Sequence, residues 1–194
     1  MSPPLTAADL ARDVIRARVH CDLAYERDAG RLDAELNDIG LSLIRRYRDD
    51  GTGTDAFLAA GENRAILDVR GTGKEYADII TDLDFKMVPY RPHGKETGAK
   101  VHRGFYGAFE AIREDVEYDV GLLAEEGIET EAGGHSLGGG VSEHFKSAGV
   151  VDFLSTLGKP RGGDEAYAEH CRRTGKEHRR WVRGADIVPL VPLL

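Results

Sequence analysis

A serine flanked by glycines stands at Gly134-His135-Ser136-Leu137-Gly138, followed by Gly139 and Gly140. The G-x-S-x-G pattern suits a sharp turn from a strand into a helix, with the hydroxyl raised at its apex. The glycines let the chain turn tightly and let the following helix approach the sheet closely. The backbone N–H of Leu137 then opens that helix and faces an oxyanion forming on a substrate carbonyl. The chemistry open to such a serine is acyl transfer, provided a base takes its proton. The same letters also suit a glycine-rich turn with an incidental serine, so the elements around it must decide.

Those elements alternate. Thr6 and Asp9 form a capping-box pair for a first helix, on which Leu10, Val14, Ala17 and Cys21 share a face. A second helical pattern carries Leu32, Leu36, Ile39 and Leu43. Both read as helices packing on a sheet. After the turn Asp49-Asp50-Gly51-Thr52-Gly53, strands are expected over 56–60 and 65–69, the second ending at Arg70-Gly71-Thr72. A glycine-marked end to a buried strand is where α/β folds place functional groups. An irregular or helical segment over 73–85 and a Pro- and Gly-bearing loop over 89–98 follow. A long helix then begins near Val101-His102-Arg103, with Phe105, Phe109, Ile112, Val116 and Leu123 as its stripe.

The strand expected over 128–132, which leads into the serine turn, carries Glu129 and Glu131, both costly in a central strand. That polarity argues for a marginal core. Leu137, Val141, Phe145 and Ala148 make the next helical face. A strand over 150–157 ends at Gly158-Lys159-Pro160-Arg161. A helix over 165–172 and a short strand over 180–182, closed by Gly184-Ala185-Asp186-Ile187-Val188-Pro189, complete the pattern. Strands alternating with helices give an α/β fold with a mostly parallel central sheet flanked by helices. We expect one domain over 1–194, with packing helices in 1–50 and the core in 55–192.

Composition narrows the partners. A net charge of −8 argues against non-specific nucleic-acid binding. No run of about 18 apolar residues is present to span a membrane, and Met1 to Thr6 lacks the basic start and apolar stretch of a secretory signal. Cys21 and Cys171 are too few for a metal site or a disulfide framework, and read as free thiols or at most one bridge.

Six segments together resemble the class 3, fungal-type triacylglycerol lipases. They are Arg70-Gly71-Thr72, Thr81-Asp82-Leu83-Asp84-Phe85, Val101-His102-Arg103-Gly104-Phe105, Gly134 to Gly139, Gly158-Lys159-Pro160-Arg161 and Asp186-Ile187-Val188-Pro189. The resemblance implies an α/β-hydrolase-like fold and hydrolysis of carboxylic esters, lipid or short-chain, with no metal or organic cofactor. It implies Ser136 as nucleophile, Asp186 as the triad acid, and Thr72 with Leu137 as oxyanion donors. Thr72 also suits a strand-end cap, and Asp186 an Asx-type turn before Pro189. A small-molecule ester or lipid is the expected partner, with transient contact to a lipid surface.

Two departures matter. The family's triad histidine lies well downstream of the aspartate, whereas none of the seven histidines follows Asp186 before Leu194. His178 is expected at the far end of the sheet and His144 two turns into the helix after the serine. His135 is expected to point away from it, and His102 and Arg103 to be structural. Losing a triad member removes most of a contribution of about 10⁶-fold, so the chain as written is expected to be a weak hydrolase. The rival expectation is a non-catalytic or truncated module that keeps the site's shape and binds a ligand. The second departure is the short, charged stretch Gly73-Lys74-Glu75-Tyr76-Ala77-Asp78, where many family members carry an apolar lid. It points to short, soluble esters with little interfacial activation.

Overall fold

The computed structural model describes residues 6–71, 86–174, 177–184, 186 and 188–190. Six strands form one sheet in the order β1-β2-β3-β6-β7-β8. β1 (Ser42–Asp49), β2 (Thr54–Ala60) and β3 (Arg64–Val69) run antiparallel to one another. β6 (Glu129–His135), β7 (Phe153–Leu157) and β8 (His178–Trp181) continue in parallel from β3. β4 (Met87–Pro89) and β5 (Lys100–His102) form a separate antiparallel pair. The helices are α1 (Ala7–Cys21), α2 (Ala29–Asn37), α3 (Arg103–Glu125), α4 (Leu137–Ser147) and α5 (Glu165–Arg173).

Successive side chains on a strand point to opposite faces, so each strand feeds two cores. Leu58, Leu67, Val69, Ala132 and Leu154 pack against Phe105, Phe109, Ile112 and Val116 of α3 and Val141 and Phe145 of α4. Phe57, Ala59 and Ile66 face the other way, onto Val19, Leu23, Leu32 and Leu36. Burying side chains of this size stabilises by about 1.5–3 kcal/mol each. Glycine-bounded strands and a helix stripe recurring at three- and four-residue steps are what produce this layering. Among the described residues no helix is long and apolar enough to cross a membrane, and Cys21 and Cys171 are free.

The first fifty residues differ from the sequence reading. The capping box at Thr6 and Asp9 forms, but the face carrying Leu10 and Val14 points outward, 54% and 70% exposed. α1 instead packs on the sheet through Arg16, Val19 and His20. The second helical pattern stops at Asn37; Leu43 lies on β1, which hydrogen-bonds to β2. Apolar spacing alone did not separate a helix end from the strand after Gly40.

The inward polar face of α1 accounts for the polar strand. Arg16 Nε and Nη2 donate to Glu131 Oε1 and Oε2, each at 2.6 Å. A bidentate guanidinium–carboxylate pair satisfies an acid that an aliphatic helix face would leave stranded. Glu131→Ala is therefore expected to cost on the order of 2–3 kcal/mol, measured by urea denaturation, because it leaves half-buried Arg16 with Asp13 alone and removes the bidentate pair. Arg16→Met with Glu131→Leu should recover most of that loss.

Candidate active site

Ser136 joins β6 to α4 with φ 54° and ψ −123°. This is a sparsely populated conformation for a residue with a side chain, and it costs about 1–3 kcal/mol. The surroundings hold it there. Its N–H donates to the Leu157 carbonyl at 2.9 Å, and its carbonyl accepts from Gly139 N–H at 3.1 Å. The side chain is 2% exposed, and among the described residues Oγ has no hydrogen-bond partner. A buried, unpaired hydroxyl on a strained turn costs stability twice over, which a merely structural serine has no reason to do. Leu137 opens α4 directly behind it.

The end of β3 meets this turn. An atom added at the Cβ position of Gly71 would lie 2.6 Å from the His135 carbonyl oxygen. Arg70, just before it, is anchored by its N–H to Asp55 O at 2.9 Å and by an ion pair to the Asp55 carboxylate at 3.2 Å. Thr72, the second oxyanion donor expected from sequence, and the charged stretch over 73–78 lie outside the described residues.

Asp186 stands at the same edge of the sheet. Gly158, immediately after β7, donates its N–H to Trp181 O at 2.9 Å. The Asp186 Oδ2 lies over it, 2.8 Å from where a Cβ would sit on that glycine, whose φ is +57°. Asp186 Oδ1 accepts from Val188 N–H at 3.0 Å. One carboxylate oxygen thus fixes the turn while the other lies over the end of β7.

All seven histidines lie among the described residues, and none of them is hydrogen-bonded to Ser136 Oγ. His135 turns its Nδ1 to Tyr25 Oη at 3.3 Å. Burial lowers its pKa, against an opposing pull from Asp186. His102 precedes α3 at its N-cap, buried edge-on against Phe105. His178 pairs with Leu154 near the start of β7, but its ring reaches along the strand to Thr156 Oγ1 at 3.0 Å, beside the strand that leads into the serine turn, and so is not at the far end of the sheet as expected. His170 and His93 bond backbone carbonyls at the far side of α4. His144 is fully buried among Tyr90, Tyr106, Phe109 and Tyr167, its Nδ1 2.6 Å from Tyr167 Oη.

Burial pushes the His144 pKa down to about 3 and that of His178 to about 4. An imidazole whose folded pKa lies below its unfolded value stabilises fully above about 6.5 and progressively less as the pH falls. Unfolding free energy should therefore decline between about pH 6.5 and pH 4. His144→Gln should flatten that decline in urea titrations at successive pH values.

Three features escaped sequence reasoning. Tyr25 lies against both His135 and Gly71, and so bridges the two strand ends. Lys159 donates to Glu143 Oε2 at 2.9 Å and to Pro160 O at 3.0 Å, tying the loop after β7 to α4. Both Lys159 and Glu143 are buried. Burial acts to raise the Glu143 pKa, but the Lys159 ammonium outweighs it and the net shift is downward. The third is a buried Ser-His-Asp set, Ser155-His20-Asp68, beneath the serine turn. Its members lie on α1, β3 and β7, far apart in sequence. Among the described residues no group of His, Cys, Asp and Glu is arranged to hold a metal ion.

The fold agrees with known proteins. A family model described as lipase (class 3) matches residues 66–194. Over 189 residues the chain is 31% identical to the lipase of Rhizomucor miehei, covering 90% of this chain and 47% of that protein. The structure of that lipase with its propeptide superposes with a TM-score of 0.78 at 27% identity, covering 97% of this chain and 65% of the other. A triacylglycerol lipase whose catalytic centre is described as a serine protease triad superposes with a TM-score of 0.76 at 25% identity, over 97% of this chain and 76% of its own. The chain spans less than half the length of the curated relatives it matches. With the serine turn, the end of β3 and the acid after β8 all inside the matched residues, the chain has the α/β-hydrolase fold and belongs to the class 3 lipase family.

Proposed function

We propose that this chain carries the nucleophile and acid of a serine hydrolase of carboxylic esters, acting on short-chain acyl or lipid esters. The observation that carries the reading is Ser136: strained, buried, and with an Oγ unpaired among the described residues, at the sheet edge where Asp186 also stands. Ser136 Oγ attacks the ester carbonyl and forms an acyl-enzyme, which water then hydrolyses. The Leu137 N–H at the start of α4 receives the developing oxyanion, helped by the positive end of the helix dipole. Thr72, three residues after the end of β3 at Val69, is the proposed second donor. Asp186 orients and charge-balances an imidazole between itself and Ser136.

Among the described residues no histidine hydrogen-bonds Ser136 Oγ, and the imidazole of this mechanism is part of the proposal. This same observation favours the rival reading, a lipase-like module that binds without turning over. Turnover of p-nitrophenyl butyrate, with Ser136→Ala as control, separates the two. The charged stretch over 73–78 supports short, soluble esters over oil droplets. The similarity to lipases supports an ester substrate without naming one.

A further inference from the structure

Asp68, Gly133 and Ser155 stand side by side in the sheet: Asp68 pairs with Gly133 between β3 and β6, and Gly133 with Ser155 between β6 and β7. His20, from the last turn of α1, lies across this row. Its Nδ1 bonds Asp68 Oδ2 and its Nε2 lies 2.7 Å from Ser155 Oγ. The ring crosses the middle strand where no side chain stands, since a Cβ on Gly133 would lie 1.9 Å from His20 Cε1. His20 and Asp68 are 0% exposed and Ser155 is 1% exposed.

The set resembles a catalytic triad but is wired the other way. Ser155 donates to Glu131 Oε1, which Arg16 holds in place. A serine hydroxyl has one proton to give, so its oxygen must accept from His20 Nε2–H. The imidazole is thus a donor to Ser155 and cannot act as its base, and burial keeps substrate away. What the set can do is mechanical. It joins the three adjacent strands whose ends build the proposed site. β3 runs on from Asp68 to Arg70 and Gly71. β6 reaches Ser136 three residues after Gly133. β7 reaches Gly158, beneath Asp186, three residues after Ser155.

We propose that His20 is a positioning residue. It clamps β3, β6 and β7 in register, so that the oxyanion strand end, the nucleophile and the acid keep one geometry. The consequence for turnover rests on the ester-hydrolase reading; the clamp itself does not.

The test compares Ser155→Thr with Ser155→Val. The two replacements have the same shape and differ only in the hydroxyl. Amide hydrogen exchange is read at Arg70, Ser136 and Gly158, whose N–H groups each bond a carbonyl at 2.9 Å at the end of one strand. Ile128 and Ala148, bonded to Leu123 and His144 carbonyls, serve as references. The Val variant is expected to lose about tenfold protection at all three strand ends relative to the Thr variant, with the references unchanged. Equal protection in both variants overturns the proposal, as does a loss shared equally by the references, which marks general destabilisation. If the added methyls prevent folding, His20→Gln against His20→Leu supplies the same comparison. With turnover, kcat should fall in the Val variant while KM holds. Absence of Ser136-dependent turnover in every form, wild type included, sinks the hydrolase reading and leaves exchange to decide the clamp.

Discussion

Purified residues 1–194 are expected to turn over p-nitrophenyl butyrate far below the ordinary kcat range of roughly 1–10³ s⁻¹, and Ser136→Ala to remove what remains. The argument is one of reach. A base must lie within about 2.6–3.2 Å of the serine oxygen. His135 turns Nδ1 to Tyr25, His144 is enclosed by Tyr167 and its aromatic neighbours, and the His178 ring is bonded to Thr156. Asp186 cannot take the proton itself, because a triad interposes an imidazole between acid and serine. The oxyanion donors and substrate binding alone leave about 10³–10⁴-fold over water. Free imidazole should therefore rescue turnover by about tenfold or more, saturably, above the rate imidazole gives with Ser136→Ala. Asp186→Ala should blunt that rescue, since the acid holds the imidazolium that forms. A kcat within the ordinary range without added imidazole, abolished by Ser136→Ala, would refute the prediction. It would direct attention to His144, His102 and His178, to be separated by single replacements with Ala.

The site was legible where covalent geometry constrains residue type. Only glycine tolerates the approaches around Ser136 and Gly158, so G-x-S-x-G and the Gly158-Lys159-Pro160-Arg161 loop announce strand ends at the edge where Ser136 and Asp186 are found. The stripe of α3 was legible because Phe105, Phe109, Ile112 and Val116 recur at helical spacing and all face one core. What was not legible depends on partners far apart in sequence. Glu131 reads as a flaw in a central strand until Arg16, 115 positions away, covers it. The inward face of α1 is polar because the strands beneath it are polar, so an apolar-stripe rule selects the wrong side of that helix. β1 was missed for a related reason. It is the edge strand, half-exposed, and its Arg45, Arg46 and Arg48 reach Asp119 and Asp55 instead of a core.

Gly138→Ala is expected to be among the most damaging glycine-to-alanine changes in the described residues. A Cβ there would lie 1.9 Å from the Val69 carbonyl oxygen, 2.8 Å from its carbon and 2.9 Å from the Arg70 carbonyl carbon. These are backbone atoms of the β3 end, so no rotamer change can relieve the contact. Either the first turn of α4 or the end of β3 must retreat by more than an ångström. Overpacking of this kind costs about 1–3 kcal/mol and occasionally more, against a helix-propensity gain of at most about 1 kcal/mol. The clash wins, and the net loss is about 1–2 kcal/mol, to be set against the 5–15 kcal/mol typical of a folded domain. Gly107→Ala and Gly121→Ala provide the control. Both lie in α3 with nothing within 4 Å of the added atom, so the propensity term acts alone and each should stabilise by up to about 1 kcal/mol. Urea denaturation of the three variants reads the stability side. The functional side follows from the same displacement: a shift of about 1 Å between reacting groups costs on the order of 10²-fold. Imidazole-rescued turnover should accordingly fall in Gly138→Ala by much more than its folded fraction does. Equal stability of Gly138→Ala and Gly107→Ala would mean that β3 and α4 do not meet as closely as the turn at Ser136 requires.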